Sequence, residues 1–308
     1  MDKIGTLISG VPATTITFSK CTFDTPKIES ILLSNCNYAT SITLAGSKFP
    51  TTTTMSSLLG NAQKLQTLDL SGVSMSKITS LPLLVEGTYN ASGIAINLSG
   101  AVLPEVTRTS GFAATWQYRN KNTDDGANYG LYNYVKELNL SSVSAPKLTS
   151  FNTAGSPTRP SYGDNLTFDG PHTYLLQSID LSGFDAPSLQ GFGSAFNYCP
   201  DLRTVKFDGA KLPALVTFQL AFSGLQKLQS VDFSTATIAS RDLNFYAAFQ
   251  NCAALTSVKF PKAAALKTIS QGSGAFNGCH ALTNLDLSMF LSVQGTGCFC
   301  TWMGNLCL

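Results

Sequence analysis

Ala-Phe-Gln-Asn-Cys-Ala-Ala-Leu-Thr-Ser-Val-Lys-Phe occupies residues 248–260, and a near copy, Ala-Phe-Asn-Gly-Cys-His-Ala-Leu-Thr-Asn-Leu-Asp-Leu, occupies residues 275–287. A looser version spans residues 195–207. The second half of each copy reads apolar-x-x-apolar-x-apolar, and its last positions alternate with the period of two that a strand requires. Self-similarity at a spacing in the twenties predicts a solenoid, whose units bury their apolar edges only by stacking on neighbours.

The last apolar residue of each predicted strand acts as a ruler: Phe18, Leu44, Leu70, Leu98, Leu140, Leu181, Phe207, Phe233, Phe260 and Leu287. Successive spacings are 26, 26, 28, 42, 41, 26, 26, 27 and 27 residues, one period with two long exceptions. Two residues before these markers stand Ile16, Ile42, Leu68, Ile96, Leu138, Ile179, Val205, Val231, Val258 and Leu285. Five before come Leu65, Val135, Leu176, Leu202, Leu228, Leu255 and Leu282, with Ala13, Ala39 and Gly93 as weaker members. Turn pairs such as Ser71-Gly72, Ser99-Gly100 and Ser182-Gly183 follow the strands. Pro146, Pro187 and Pro213 precede a second apolar pair, which argues against a long helix there. The Ala-Phe-x-x-Cys segment then reads as one short helical turn on the opposite side.

Ala195-Phe196-x-x-Cys199-x-x-Leu202, Ala248-Phe249-x-x-Cys252-x-x-Leu255 and Ala275-Phe276-x-x-Cys279-x-x-Leu282 resemble the Treponema-type, BspA-like leucine-rich repeats. The resemblance is strong from about residue 176 onward and degenerate before it; Ala221-Phe222 has Leu225 in place of the cysteine. It implies an α/β repeat: a right-handed leucine-rich-repeat solenoid with a parallel β-sheet on the concave face and short helical or irregular convex segments. Residues 1–308 then form a single solenoid of about ten to eleven repeats of 26–28 residues, with insertions at about 107–134 and 152–174. It also implies a surface protein with an adhesive role.

Charged residues make up 12% of the chain, about half the usual share, and the net charge is +2. That balance predicts no pull toward nucleic acid or anionic membrane. The hydroxyl-rich surface suits a secreted, cell-surface or virion protein. Met1-Asp2-Lys3-Ile4 lacks the basic and apolar regions of a signal peptide, and no apolar run is long enough to span or insert into a bilayer. Repeats run from Leu7, in the register of Phe196, to Leu308, with no polar capping repeat in view. A fragment of a longer protein, a partner or neighbouring subunit covering the ends, and head-to-tail stacking each account for that, the first two being preferred.

Five of the eight cysteines, Cys36, Cys199, Cys252, Cys279 and Cys300, stand eight residues before a strand end, so they read as buried free thiols in one core slot. Cys298, Cys300 and Cys307 lack the paired spacing of a metal site. His280 falls on a predicted surface turn, and His172 lies near Asp164 and Asp169 without any recognisable catalytic motif. No catalytic residue, metal ligand or cofactor is therefore assigned. The outward strand positions Asp69, Asn97, Asn139, Asp180, Lys206, Asp232, Lys259 and Asp286 form a ladder whose last five signs alternate. Four sequons occur, at Asn90, Asn97, Asn139 and Asn165, of which only the last sits in a predicted loop.

Insertions in a repeat protein map to one face, often the binding face. Trp116, Tyr118, Arg119, Tyr129 and Tyr132 in the first, and Arg159, Tyr162 and Asp164 in the second, combine flat rings with polar neighbours, the make-up of protein or glycan contact loops. The expected function is non-enzymatic binding or adhesion to a protein or glycan on a cell surface, from an extracellular or cell-surface location. The alternatives are a virion component of the phage tail-fibre type that binds a receptor, and a structural subunit stacking through uncapped repeat ends.

Overall fold

The computed structural model describes residues 6–81, 83–86, 90, 92–107, 109, 134–151, 175–193, 195–196, 199–239, 242–261 and 266–294. Within them the chain winds as stacked coils, each adding one short strand to a nine-stranded parallel sheet. The strands are Thr15–Thr17, Ser41–Thr43, Thr67–Asp69, Ile94–Asn97, Val135–Asn139, Ser178–Asp180, Thr204–Lys206, Ser230–Asp232 and Ser257–Lys259, lying side by side in chain order. Their register follows the ruler: Ile16, Ile42, Leu68, Ile96, Leu138, Ile179, Val205, Val231 and Val258 are successive partners. All nine are buried, because every second residue of a strand faces the same side. Leu202, Leu228, Leu255 and Leu282 are buried at equivalent positions of successive coils.

The expected helical turns on the opposite side are absent among the described residues; residues 219–224, 246–250 and 273–278 are consecutive turns. Their amides explain why. Leu220 N donates to Tyr246 O, Phe222 N to Ala248 O and Gly224 N to Gln250 O, at 3.0, 2.9 and 2.7 Å. Groups committed to the next coil cannot close the i→i−4 bonds of a helix. Leu220, Ala247 and Asn251, at φ 55, 49 and 61°, also break helical geometry. In the first coils the same limb is extended instead: Ile8–Ser9, Lys27–Ser34, Thr54–Gly60 and Leu83–Glu86 form a second parallel sheet. There Ile8, not Leu7, pairs with Leu33, and Leu7 is exposed. The predicted strand at 285–287 does not form; Asp286 Oδ1 still accepts Ser288 N at 2.9 Å. A local turn needs only its own residues, whereas a strand needs its neighbour.

The core is aromatic in its later coils. Phe196, Phe222, Phe249 and Phe276 stack face to face, with centroids 5.2, 4.9 and 5.2 Å apart. Phe192, Phe218 and Phe245 make a second column, and Phe207, Phe233 and Phe260 a third. The cysteine slot lies within this core: Cys36, Cys199, Cys252 and Cys279 are buried and not in disulfides, with Ala62 and Leu225 buried at the equivalent positions. Cys252 Sγ donates to Phe222 O and Cys279 Sγ to Phe249 O, both at 2.9 Å. The neighbouring Cys279 side chain, reinforced by burial, raises the Cys252 thiol above the ordinary range, which disfavours the reactive thiolate. Cys300 lies outside the described residues.

Seven of the nine strands are followed by a left-handed residue two places after the marker: Lys20, Gly46, Gly72, Gly100, Ser142, Gly183 and Gly209. A side chain there costs about 1–2 kcal/mol of backbone strain, partly offset by the unfolded-state freedom that glycine adds, about 0.4–1 kcal/mol. Ser142→Gly (φ 55° now) is therefore expected to raise stability by about 0.5–1 kcal/mol, checked by denaturant unfolding at constant m-value.

Candidate functional site

The exposed face of the nine-stranded sheet presents two parallel rows of side chains. One runs Thr17, Thr43, Asp69, Asn97, Asn139, Asp180, Lys206, Asp232, Lys259, which places the predicted ladder in register as far as Lys259. The other runs Thr15, Ser41, Thr67, Ala95, Glu137, Ser178, Thr204, Ser230, Ser257, so seven of its nine members carry a hydroxyl. At about 4.8 Å per rung the face is about 38 Å long. The second row is the part that reading for charge missed. Its signal was present in the third residue before each marker, which is Ser or Thr in seven of these nine strands.

The charged row is tied both along and across the coils. Asn97 Nδ2 donates to Asp69 Oδ1 at 3.0 Å. Lys206 Nζ lies 3.6 Å from Asp180 Oδ2, and Lys259 Nζ lies 3.0 Å from Asp232 Oδ2. Three further pairs, Glu105–Lys147, Asp185–Lys211 and Asp201–Lys227, also set an acid on one coil against a lysine on the next. Being exposed, each contributes about 0–1 kcal/mol; their effect is to neutralise the surface and hold register. The acids and amides of the row also close the turn after the strand: Asp69, Asn97, Asn139, Asp180 and Asp232 each accept the amide two residues on, at 2.8–3.0 Å. Burial alone would raise the Asp180 carboxyl. The Ser182 hydroxyl and amide, with Lys206, outweigh it and hold Asp180 below the ordinary carboxylate range; Ser234 and Lys259 do the same for Asp232.

The same turns account for three sequons. Asn90 donates to Leu65 O at 2.7 Å and accepts Ser92 N at 3.0 Å, and Asn97 is likewise used at both amide atoms. Asn139 Oδ1 holds Ser141 N at 2.9 Å. Asn165 lies outside the described residues.

All eight insertion residues proposed for binding, Trp116, Tyr118, Arg119, Tyr129, Tyr132, Arg159, Tyr162 and Asp164, lie outside the described residues, as do Asp169, His172, Cys298 and Cys307. What is described is the frame that carries the insertions. The strands beside them are neighbours, with Asn97 opposite Asn139 and Asn139 opposite Asp180. A void of about 20 Å³ is lined by Leu103, Val106, Val143, Leu148, Phe151 and Phe184 among others. Ligand pockets measure roughly 300–1,000 Å³, so this void is a packing defect rather than a site. His280 is exposed on its turn, as the register predicts. Among the described residues no group of three or more His, Cys, Asp or Glu could hold a metal ion, and no helix is long and apolar enough to cross a membrane.

Residues 246–304 match the family model described as the BspA type leucine rich repeat region, in 6 copies. This stretch carries BspA-type leucine-rich repeats, as its Ala-Phe-x-x-Cys spacing anticipates. No curated protein matches the sequence. Among solved structures, a leucine rich cell surface protein from Faecalibacterium prausnitzii A2-165 is similar at 13% identity, over 96% of this chain and 83% of that one, with a TM-score of 0.27. The TLR13–ssRNA13 complex is similar at 16% identity over 89% of this chain and 54% of that one, with a TM-score of 0.21. Scores so low carry no argument about ligand or function.

Proposed function

We propose that the chain is a non-enzymatic binding or adhesion protein, acting at the cell surface or outside the cell, whose coils continue as one solenoid over all 308 residues. Recognition of a surface protein or glycan falls to the exposed sheet face together with the aromatic-rich insertions at 107–134 and 152–174. The observation that carries this reading is the face itself. Nine strands hold two polar rows in one register for about 38 Å, a scaffold for an extended ligand and a poor one for enclosing a small substrate. BspA-type repeats at 246–304 support a surface role.

The insertions are tested by Trp116→Ala combined with Tyr118→Ala. Flat rings bury large area at low entropic cost, so losing two of them is expected to weaken cell binding about a hundredfold or more. The melting temperature should stay within about 2 °C of the parent, as surface changes usually allow. Unaltered binding by a correctly folded variant would remove the insertions from the site.

A further inference from the structure

We infer that the ligand of the sheet face is a neutral linear polysaccharide, laid along the solenoid axis with its sugar hydroxyls against the hydroxyl row. The inference rests on the binding function proposed above and names its substrate class.

Three observations select that occupant. The first is charge. On the strands and the residues just before them, the carboxylates Asp69, Glu137, Asp180 and Asp232 are matched in number by Lys136, Arg203, Lys206 and Lys259. Lys206 and Lys259 are already held by acids of the preceding coil. A face that cancels its own charge complements an uncharged partner; nucleic acid or a sulfated glycan would meet no cationic surplus.

The second observation is chemistry. Neither outward row carries an aromatic or a large aliphatic side chain, Ala95 being the one apolar member. The exposed large apolar residues Leu7, Tyr38, Val102, Tyr246 and Leu291 all lie outside the strands of this sheet. Protein–protein interfaces take most of their affinity from buried aromatic and Arg anchors near the centre, and this face supplies none from its strands. Hydroxyls both donate and accept, so they pair with sugar hydroxyls in either direction.

The third is repetition. A rung recurs about every 4.8 Å for nine coils. A polymer of identical units meets a hydroxyl at seven of the nine rungs of the second row, and weak contacts gain from being linked. A globular partner or a single small molecule would use only a fraction of that regularity.

The test is sedimentation of the full chain with insoluble cellulose and chitin, alongside heparin beads and a panel of intact bacterial and mammalian cells. Three forms are compared: the parent, a variant carrying Ser178→Ala, Thr204→Val, Ser230→Ala and Ser257→Ala, and a second carrying Thr204→Gln and Ser230→Gln. The second keeps the face polar while filling the row, so it remains informative if the apolar variant aggregates. The expected result is that the parent sediments with at least one neutral polymer and both variants bind it roughly tenfold or more weakly, as loss of several linked hydrogen bonds requires. Equal binding by parent and variants overturns the inference. Binding to heparin alone also overturns it. If the parent binds cells but neither neutral polymer, the inference falls and the adhesive function stands; if it binds nothing, both fall.

Discussion

Phe222→Ala is expected to cost about 3–5 kcal/mol and to lower the melting midpoint by on the order of 10 °C. Phe222 is fully buried, with Phe196 stacked on one side at 5.2 Å and Phe249 on the other at 4.9 Å. Removing the ring loses its transfer free energy, two aromatic contacts and the packing of a slot that cannot collapse, because both neighbours are pinned by their own coils. The last point is particular to a solenoid. Each coil touches only the next, so stability is a sum of coil terms and interface terms, and one void weakens two interfaces at once. The expected signature is a broadened or two-step melt, with hydrogen exchange rising first around residues 196–249. Phe222→Leu, which keeps most of the volume, should cost no more than about 1.5 kcal/mol. A Phe222→Ala protein that melts within about 1 °C of the parent would show that the ring column is not structural.

The ring column also shows how far local sequence carries. Phe196, Phe222, Phe249 and Phe276 recur at spacings of 26, 27 and 27 residues, and that regularity alone places them in one column. Strand register was legible for the same reason: period-2 alternation fixes which side chains turn inward. The helical turn at Ala-Phe-x-x-Cys was a misreading with a physical source. Apolar residues three apart look alike in a helix and in a run of turns. What separates them is whether an amide is satisfied within its own coil or by the next, and Phe222 N goes to Ala248 O. That choice belongs to the stack, not to the segment. The second sheet of the first coils, Lys27–Ser34 with Thr54–Gly60, was hidden in the same way.

The site divides along the same line. Asp69 through Lys259 were placed by their alternation with buried residues, and the structure adds their partners. The hydroxyl row Thr15 to Ser257 went unread because Ser and Thr are common in this sequence, and only alignment of the coils shows them falling on one side. The aromatic insertion residues have no such frame. Trp116 and Tyr162 match no position of the repeat pattern in the sequence, so composition was the sole guide.

At Gly191 the next coil leaves no room for a β-carbon, and Gly191→Ala is expected to destabilise by about 1–3 kcal/mol. Gly191 bridges Ser150 on one side and Thr217 on the other, at a place in the coil where those neighbours carry side chains. It alone of the three is buried. Its φ does not require glycine; the neighbouring coil does. A β-carbon there would stand 2.3 Å from Thr217 Cγ2 and 2.9 Å from Thr217 O. The methyl can rotate or be removed, but the carbonyl accepts Phe192 N at 3.2 Å and is fixed by the ladder. The two contacts are separable by a double-mutant cycle. Thr217→Ser deletes the methyl while keeping the hydroxyl oxygen that Gln219 N reaches at 3.1 Å. In that background Gly191→Ala should cost about half as much, a coupling of about 0.5–1.5 kcal/mol measured by chemical denaturation. A cost unchanged by Thr217→Ser would put the whole penalty on the carbonyl, so that backbone approach alone selects glycine. No cost at all would mean that the coils can part at this level, and the close approach of Gly191 to Thr217 would not be a constraint on the fold.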